Sequence, residues 1–324
     1  MKALVATGEP GQLITFAEVA EPNAADGVAV VEVEAFSVNR GDYFQLSGVY
    51  GTTPPAGFRP GQDIAGRVVR GATDGSGPAV GSRVVGHATA GWAERVAVPV
   101  HALAELPDRV GPVEAAALPL AGLTALRLIR TAGALAGRRV LLTGASGGVG
   151  HYLVELAAAA GAEVTAVSST AERGARLREL GAVAVVRDPA DAVGRFDLVL
   201  ESVGGDSFTG SLARLAPRGT LLWFGQAGRA PVTMDFFEVL TRGAAGATIR
   251  HFSHAHSDLP DSQDLATLVR LVATGRLHPE IGRTADWADT AATLTDLSAR
   301  RIRGNALLTI GATGASAPAG SMDA

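Results

Sequence analysis

Three glycines set three residues apart, Gly144, Gly147 and Gly150, stand between an apolar run and a helical pattern in the stretch LLTGASGGVGHYL (Leu141–Leu153). A chain that turns sharply out of a strand needs a sterically unrestricted residue at the first position. A backbone that must approach an anion closely needs no Cβ at the second, and a helix packing tightly on the strand needs none at the third. The first helical turn then offers unpaired N–H groups and the positive end of its dipole. The order strand, glycine turn, helix therefore points to a cradle for the pyrophosphate of a dinucleotide, formed by Gly144, Ser146, Gly147, Gly148, Val149 and Gly150. A purely structural turn is the competing reading.

The end of the next strand bears on which dinucleotide. A free ribose 2′-hydroxyl calls for an Asp or Glu there. This strand ends Ser168-Ser169-Thr170 with no acid, and Arg173 follows. Hydroxyls and a guanidinium suit a 2′-phosphate, which favours NADP(H) over NAD(H). The alternative is that Ser169 or Thr170 caps the following helix and Arg173 is solvated. The chain has no cysteine, and Lys2 is its only lysine. Disulfides, thiolate nucleophiles, cysteine zinc sites and an interior lysine base are thereby excluded. The histidine-rich stretch HFSHAH (His251–His256) reads as a polar strand end, and no metal site is expected there.

These groups must be positioned by a chain of 324 residues, 47% hydrophobic, with a net charge of −4. That length favours two domains or one large α/β unit. Without a basic block, nucleic acid is a poor partner. No long apolar segment or secretory pattern is evident, so a soluble, cytoplasmic protein without membrane attachment is expected. Short valine-bearing runs broken by Gly and Pro fill residues 1–121, including Val28–Phe36, Ile64–Val69 and Ser82–Ala88, and read as β-strands. From Leu120–Gly133 onward helices enter. Candidate strands starting at Val140, Glu163, Val183, Phe196 and Thr220 alternate with helical stripes through residue 256, which implies a covered parallel sheet. Residues 257–311 carry two helices, Leu265–Gly275 and Thr290–Ala299, and a last strand, Asn305–Ile310. Residues 312–324 are low in complexity and expected to be disordered.

Taken together, SVNRGDYFQLSGVYG (Ser37–Gly51), PGQDIAG (Pro60–Gly66), VGSRV (Val80–Val84), GWAERVAVP (Gly91–Pro99), LPLAGLTA (Leu118–Ala125), TGASGGVG, ESVGG (Glu201–Gly205) and RGNALL (Arg303–Leu308) resemble the zinc-free quinone oxidoreductase and enoyl reductase branch of the medium-chain dehydrogenase/reductases. The resemblance runs from Lys2 to about Ile310. It implies an α/β fold in which a Rossmann dinucleotide-binding domain is inserted into a β-rich GroES-like catalytic domain. It also implies a homodimer joined through the sheet edge at Ala247–Ser253. Zinc-dependent relatives place Cys at the position of Asn39 and His at that of Gln62, where neutral amides are poor ligands.

The resemblance sets the nicotinamide between the domains near Thr124 and the Phe224-Gly225 turn, with the acceptor beside Asn39, Tyr43 and Tyr50. A small-molecule quinone or α,β-unsaturated carbonyl is then the expected hydride acceptor, and an enoyl reductase of secondary metabolism a variant. Tyr50 occupies the position of a tyrosine in related enoyl reductases and would donate a hydrogen bond or proton to the developing oxyanion. Packing at the cleft mouth is its alternative role. Asn39 would hold the carbonyl or the ribose. Two positions depart from the family. Arg187-Asp188-Pro189 stands where many members have a tyrosine near the 2′-phosphate, and Asn305 stands where a lysine is usual. Arg300, Arg301 and Arg303 read as a solvated run within reach of the cofactor. PPAGFRPG (Pro54–Gly61) suggests a mobile loop over the cleft. The rival functional class is a cofactor-binding sensor or scaffold without turnover. Short-chain dehydrogenases are excluded, because their Tyr-x-x-x-Lys pair is absent.

Overall fold

Val140–Leu142, Val164–Val167 and Leu198–Leu200 are buried along their whole length, which strands permit only when both sheet faces are covered. In the computed structural model, which describes residues 1–241 and 244–311, they belong to a six-stranded parallel sheet. Its spatial order is Ala184–Val186, Glu163–Val167, Arg139–Leu142, Phe196–Glu201, Leu215–Trp223, Thr248–His251. The chain runs outward from Arg139–Leu142 in one direction, then returns to its other flank and runs outward again. The carboxyl ends of Arg139–Leu142 and Phe196–Glu201 thus flank the switch point, where such sheets leave a crevice for ligands.

The amino-terminal part builds a second sheet. Val28–Val38 pairs antiparallel with Asp63–Arg70, Arg95–Pro99 and Asn305–Thr309. The last pairing returns the carboxyl-terminal segment to this sheet, which Arg83–His87, Leu103–Glu105 and Ile281–Asp286 complete. Its core, around Phe36, Ile64, Val84, Trp92 and Val98, is distinct from the core of the parallel sheet. The helix Pro119–Ala132 crosses the boundary expected between residues 121 and 122. The helix Asp261–Ala273 packs on both Pro119–Ala132 and Leu103–Glu105. Among the described residues no helix is long and apolar enough to cross a membrane.

The stretch Met234–Thr241 contains a short helix, Phe236–Thr241. One sequence expectation changes here: Pro54–Gly61 is a fixed wall rather than a free flap. Phe58 accepts from Ala6 N at 2.8 Å, Pro60 from Trp92 N at 3.2 Å, and Gly61 from Gly91 N at 3.0 Å. The expected disordered tail, 312–324, lies outside the described residues.

A charged pin joins the two sheets. Arg127, on Pro119–Ala132 and 6% exposed, donates through Nε to Asp264 at 2.8 Å and through Nη2 to Asp261 at 2.6 Å. Its Nη1 donates to the His254 carbonyl at 2.7 Å, and Arg130 also pairs with Asp264. Asp261 then meets His87 Nδ1, from the antiparallel sheet, at 2.8 Å. Burial alone lowers the His87 imidazole, but the Asp261 hydrogen bond and the charges of Asp63 and Asp261 outweigh it, and the net shift is upward. Asp261 is held down at about 2, first by the bond from His87.

The stabilisation from this charged pair is complete below the unfolded imidazole pKa of about 6.5 and fades as pH rises through the raised folded value. The melting-temperature gap between wild type and His87→Gln, measured by scanning calorimetry, is expected to be wider near pH 6 than near pH 9. A gap independent of pH contradicts the charged pair.

Candidate active site

A cleft of about 1840 Å³ is lined by both sheets' loops and centres on the switch point. One wall is the glycine turn. Gly144 has φ of +61°, and a Cβ there would lie 2.5 Å from Ser202 Oγ. A Cβ on Gly150 would lie 2.4 Å from the Ala145 carbonyl oxygen, so the helix start could not close onto its own turn. At Gly147 a Cβ would meet only the Gly144 carbonyl oxygen, at 3.3 Å, so this backbone is open to close approach. The helix Gly148–Ala159 has Gly147 as its N-cap and no side-chain cap. The N–H groups of Gly148, Val149 and Gly150 therefore remain for an anion. Gly304 N donates to Ser146 O at 3.2 Å, and Asn305, 6% exposed, donates through Nδ2 to Glu280 O at 3.1 Å. The returning segment thus braces the cradle from outside. The facing loop is shaped by Glu201, fully buried, whose Oε1 accepts from Val203 N and Gly204 N at 2.8 Å each.

The phosphate-specific end differs in detail from the sequence expectation. Ser169, Thr170 and Arg173 line the cleft. Ser168 does not: it is 3% exposed and donates to Thr170 O at 3.3 Å. Thr170 caps the helix Ala171–Glu179 by accepting from Arg173 N at 3.2 Å. Arg173 reaches across to the Arg300 and Ile302 carbonyls. Arg40 and Arg300 join it. Arg40 is lowered first by burial, then by the charges of Arg300 and Arg173. None of the three has a carboxylate partner among the described residues, whereas Arg301 pairs with Asp296 and Arg303 with Glu280. Arg187 and Asp188 also line the cleft. The sequence does not single out Arg40 and reads Arg300 as solvated, because nothing in chain spacing links positions 40, 173 and 300.

On the other side, Thr124 is 8% exposed and donates to Leu120 O at 2.7 Å, with Phe224 and Gly225 opposite in the cleft lining. Asn39 lines the cleft, but its Nδ2 is committed to Ser37 Oγ at 2.9 Å and Asp63 Oδ2 at 2.7 Å. With both N–H groups used, Asn39 cannot donate to an acceptor's carbonyl, and only its oxygen is left to accept, as from a ribose hydroxyl. Tyr43 packs against the core of the antiparallel sheet and is absent from the cleft lining. The expectation that it flanks the acceptor is corrected. The helix Arg40–Leu46 carries it round to the core side. Tyr50 stands in the cleft lining, 66% exposed, its ring edge-on to Phe44 at 5.9 Å.

Beneath the site lie two fully buried carboxylates. Asp63 accepts from Ser37, Asn39 and the Leu120 N–H, the last at 2.8 Å. Burial raises it, while His87 and these bonds pull it back. Asp42 accepts from Asn39 N at 2.7 Å and Gln62 Nε2 at 3.3 Å, and burial pushes it up to about 7. His254, expected on a polar edge, turns instead to meet His87 edge-on at 5.8 Å. A zinc ion does not fit: the two ligand positions hold Asn39 and Gln62, neutral amides that are poor zinc ligands. Among the described residues no cluster of three or more His, Cys, Asp or Glu is arranged to hold a metal.

Two family models match the chain, an alcohol dehydrogenase GroES-like domain over residues 25–108 and a zinc-binding dehydrogenase domain over residues 148–274. A quinone oxidoreductase of Pseudomonas aeruginosa is 30% identical over 295 residues, 86% of this chain and 90% of that protein. A mycobacterial protein solved in complex with NADPH is 29% identical, with a TM-score of 0.85 over 95% of this chain and 100% of the other. A region making up 5% of the polyketide synthase GfsB of Streptomyces halstedii is 31% identical over 311 residues, 92% of this chain. At that identity and coverage the chain belongs to the medium-chain dehydrogenase/reductases, in their zinc-independent quinone oxidoreductase branch.

Proposed function

We propose that the protein is an NADPH-dependent, zinc-independent reductase that transfers hydride to a quinone or an α,β-unsaturated carbonyl. The observation that carries this reading is the trio Arg40, Arg173 and Arg300, brought together beside the glycine cradle without a carboxylate. Like charges so placed repel, and a 2′-phosphate, dianionic near neutrality, relieves that repulsion through charge-assisted hydrogen bonds. The complex of the mycobacterial relative with NADPH supports the same cofactor.

When bound, NADPH supplies the hydride. The chain's residues do the rest. The N–H groups of Gly148, Val149 and Gly150 take the pyrophosphate, the arginine trio fixes the adenosine end, and Thr124, Phe224 and Gly225 bound the space for the nicotinamide. The Asn39 oxygen is placed to accept from a hydroxyl. The acceptor's oxyanion needs a donor. Asn39 has none to give, and Gln62 spends one of its two N–H groups on Asp42. Tyr50 provides an O–H at the cleft mouth, with water as its proton source. The match to a polyketide synthase region favours the enoyl acceptor within this reading.

We further propose that two copies pair through the outer edge of the parallel sheet. The strand Thr248–His251 is exposed along its length, and the nearby stretch carries exposed Met234, Phe236, Phe237 and Leu240. An open edge beside apolar side chains is a template for another chain.

Wild type is expected to consume NADPH when given a quinone or an enone, read by loss of its absorbance. Tyr50→Phe is expected to lower kcat at least about tenfold. NADPH binding without turnover of either acceptor class supports the sensor reading instead, and an unchanged kcat moves the proton donor to solvent. Light scattering is expected to give twice the chain's mass, and a monomer mass contradicts the pairing.

A further inference from the structure

Arg59 is a cation that the cofactor does not explain. It lines the cleft from the wall Pro54–Gly61, whose hydrogen bonds to Ala6, Gly91 and Trp92 fix it on both sides. Pro60 restricts the Arg59 backbone to extended conformations. Gly61, at φ +104°, is pressed against Trp92, where a Cβ would lie 2.4 Å from Cδ1. The guanidinium is therefore mounted on a rigid strap. Its Nε is buried without a hydrogen-bond partner, and no carboxylate among the described residues pairs with it. Burial lowers its pKa, and no neighbouring charge contributes to the shift. By contrast, Arg40 feels Arg300 and Arg173. Arg59 thus stands apart from the trio assigned to the 2′-phosphate. It sits three residues before Gln62 in the catalytic-domain wall that also contributes Phe58, Val49 and Tyr50 to the cleft.

A neutral quinone or enone offers this cation a carbonyl oxygen but no countercharge, and a guanidinium whose Nε is buried without a partner is a cost to the fold. We propose that Arg59 recognises an anionic oxyacid group on the acceptor, so that the substrate class is a quinone or enone that also bears a carboxylate or phosphate. The planar fork of Arg suits either group through paired N–H donors. The inference rests on the acceptor reading given above and narrows it.

The test compares matched acceptors. Benzylideneacetone and its para-carboxylate differ in charge at a site remote from the enone. Crotonyl thioesters of pantetheine and of pantetheine 4′-phosphate distinguish a carrier phosphate from a carboxylate on the acceptor itself. The quantity read is the kcat/KM ratio, anionic over neutral, in wild type, Arg59→Gln and Arg59→Lys, with near-UV circular dichroism reporting the fold. Wild type is expected to favour the anionic member of at least one pair by about tenfold or more, since a charge-assisted bond of that strength corresponds to such a factor. Arg59→Gln is expected to bring the ratio close to one through KM, and Arg59→Lys to restore part of it. A wild-type ratio near one for both pairs, or a preference that survives in Arg59→Gln, overturns the inference while leaving the acceptor reading intact. No turnover of any of the four compounds, or of a simple quinone, overturns both.

Discussion

The site depends on one buried carboxylate. Asp63 receives Ser37 and Asn39 from the end of one strand and the Leu120 N–H from the start of the helix that carries Thr124. That helix has no side-chain cap of its own, so Asp63 satisfies one of its free N–H groups from a different part of the chain. Burying a charge is tolerated only where several donors converge on it. Here three do, and His87 lies directly across the strand pair in register with Asp63. An amide at this position would turn a donor toward donors. The same carboxylate therefore fixes the Asn39 amide, the cleft floor and the near end of the cofactor helix, and links them through His87 to the Asp261–Arg127 pin.

The second organising feature is an imbalance of charge. Among the described residues six arginines line the cleft, Arg40, Arg59, Arg173, Arg187, Arg229 and Arg300, against one carboxylate, Asp188. The protein as a whole is mildly acidic, with a net charge of −4. Positive potential is thus concentrated where anionic ligands bind, and low-dielectric walls focus it there. Backbone N–H groups of the cradle and guanidiniums from three distant segments act together, and Arg173 and Arg300 are held by carbonyls and not by acids that would compete with a ligand. Preorganisation of this kind removes much of the ordering cost from binding.

Features carried by short-range spacing were legible in the chain. The glycine turn and the strand–helix alternation follow from local pattern, and the return of Asn305–Ile310 to the first sheet is what the family resemblance implies. Features made by tertiary approach were not. The arginine trio joins positions 40, 173 and 300. Arg300 looked solvated like its neighbours, yet it is Arg301 and Arg303 that find acids. Single-residue phase also mattered. At the end of Glu163–Val167, Ser168 turns inward and Ser169 outward, as strand alternation requires. In the helix Arg40–Leu46 the turn places Tyr43 on the core side, away from the acceptor. The wall Pro54–Gly61 looked mobile from its Gly and Pro content, but backbone hydrogen bonds to two neighbouring segments hold it.

The central claim is that the cradle and the arginine trio together select a dinucleotide carrying a 2′-phosphate. Calorimetric titration of the purified protein with NADPH and, separately, with NADH tests it most directly. The account expects NADPH to bind at least about tenfold more tightly, with the difference shrinking as salt rises, because the discriminating contacts are charge pairs. Equal affinity for the two would contradict the role given to Arg40, Arg173 and Arg300, and binding of neither would contradict the cradle itself.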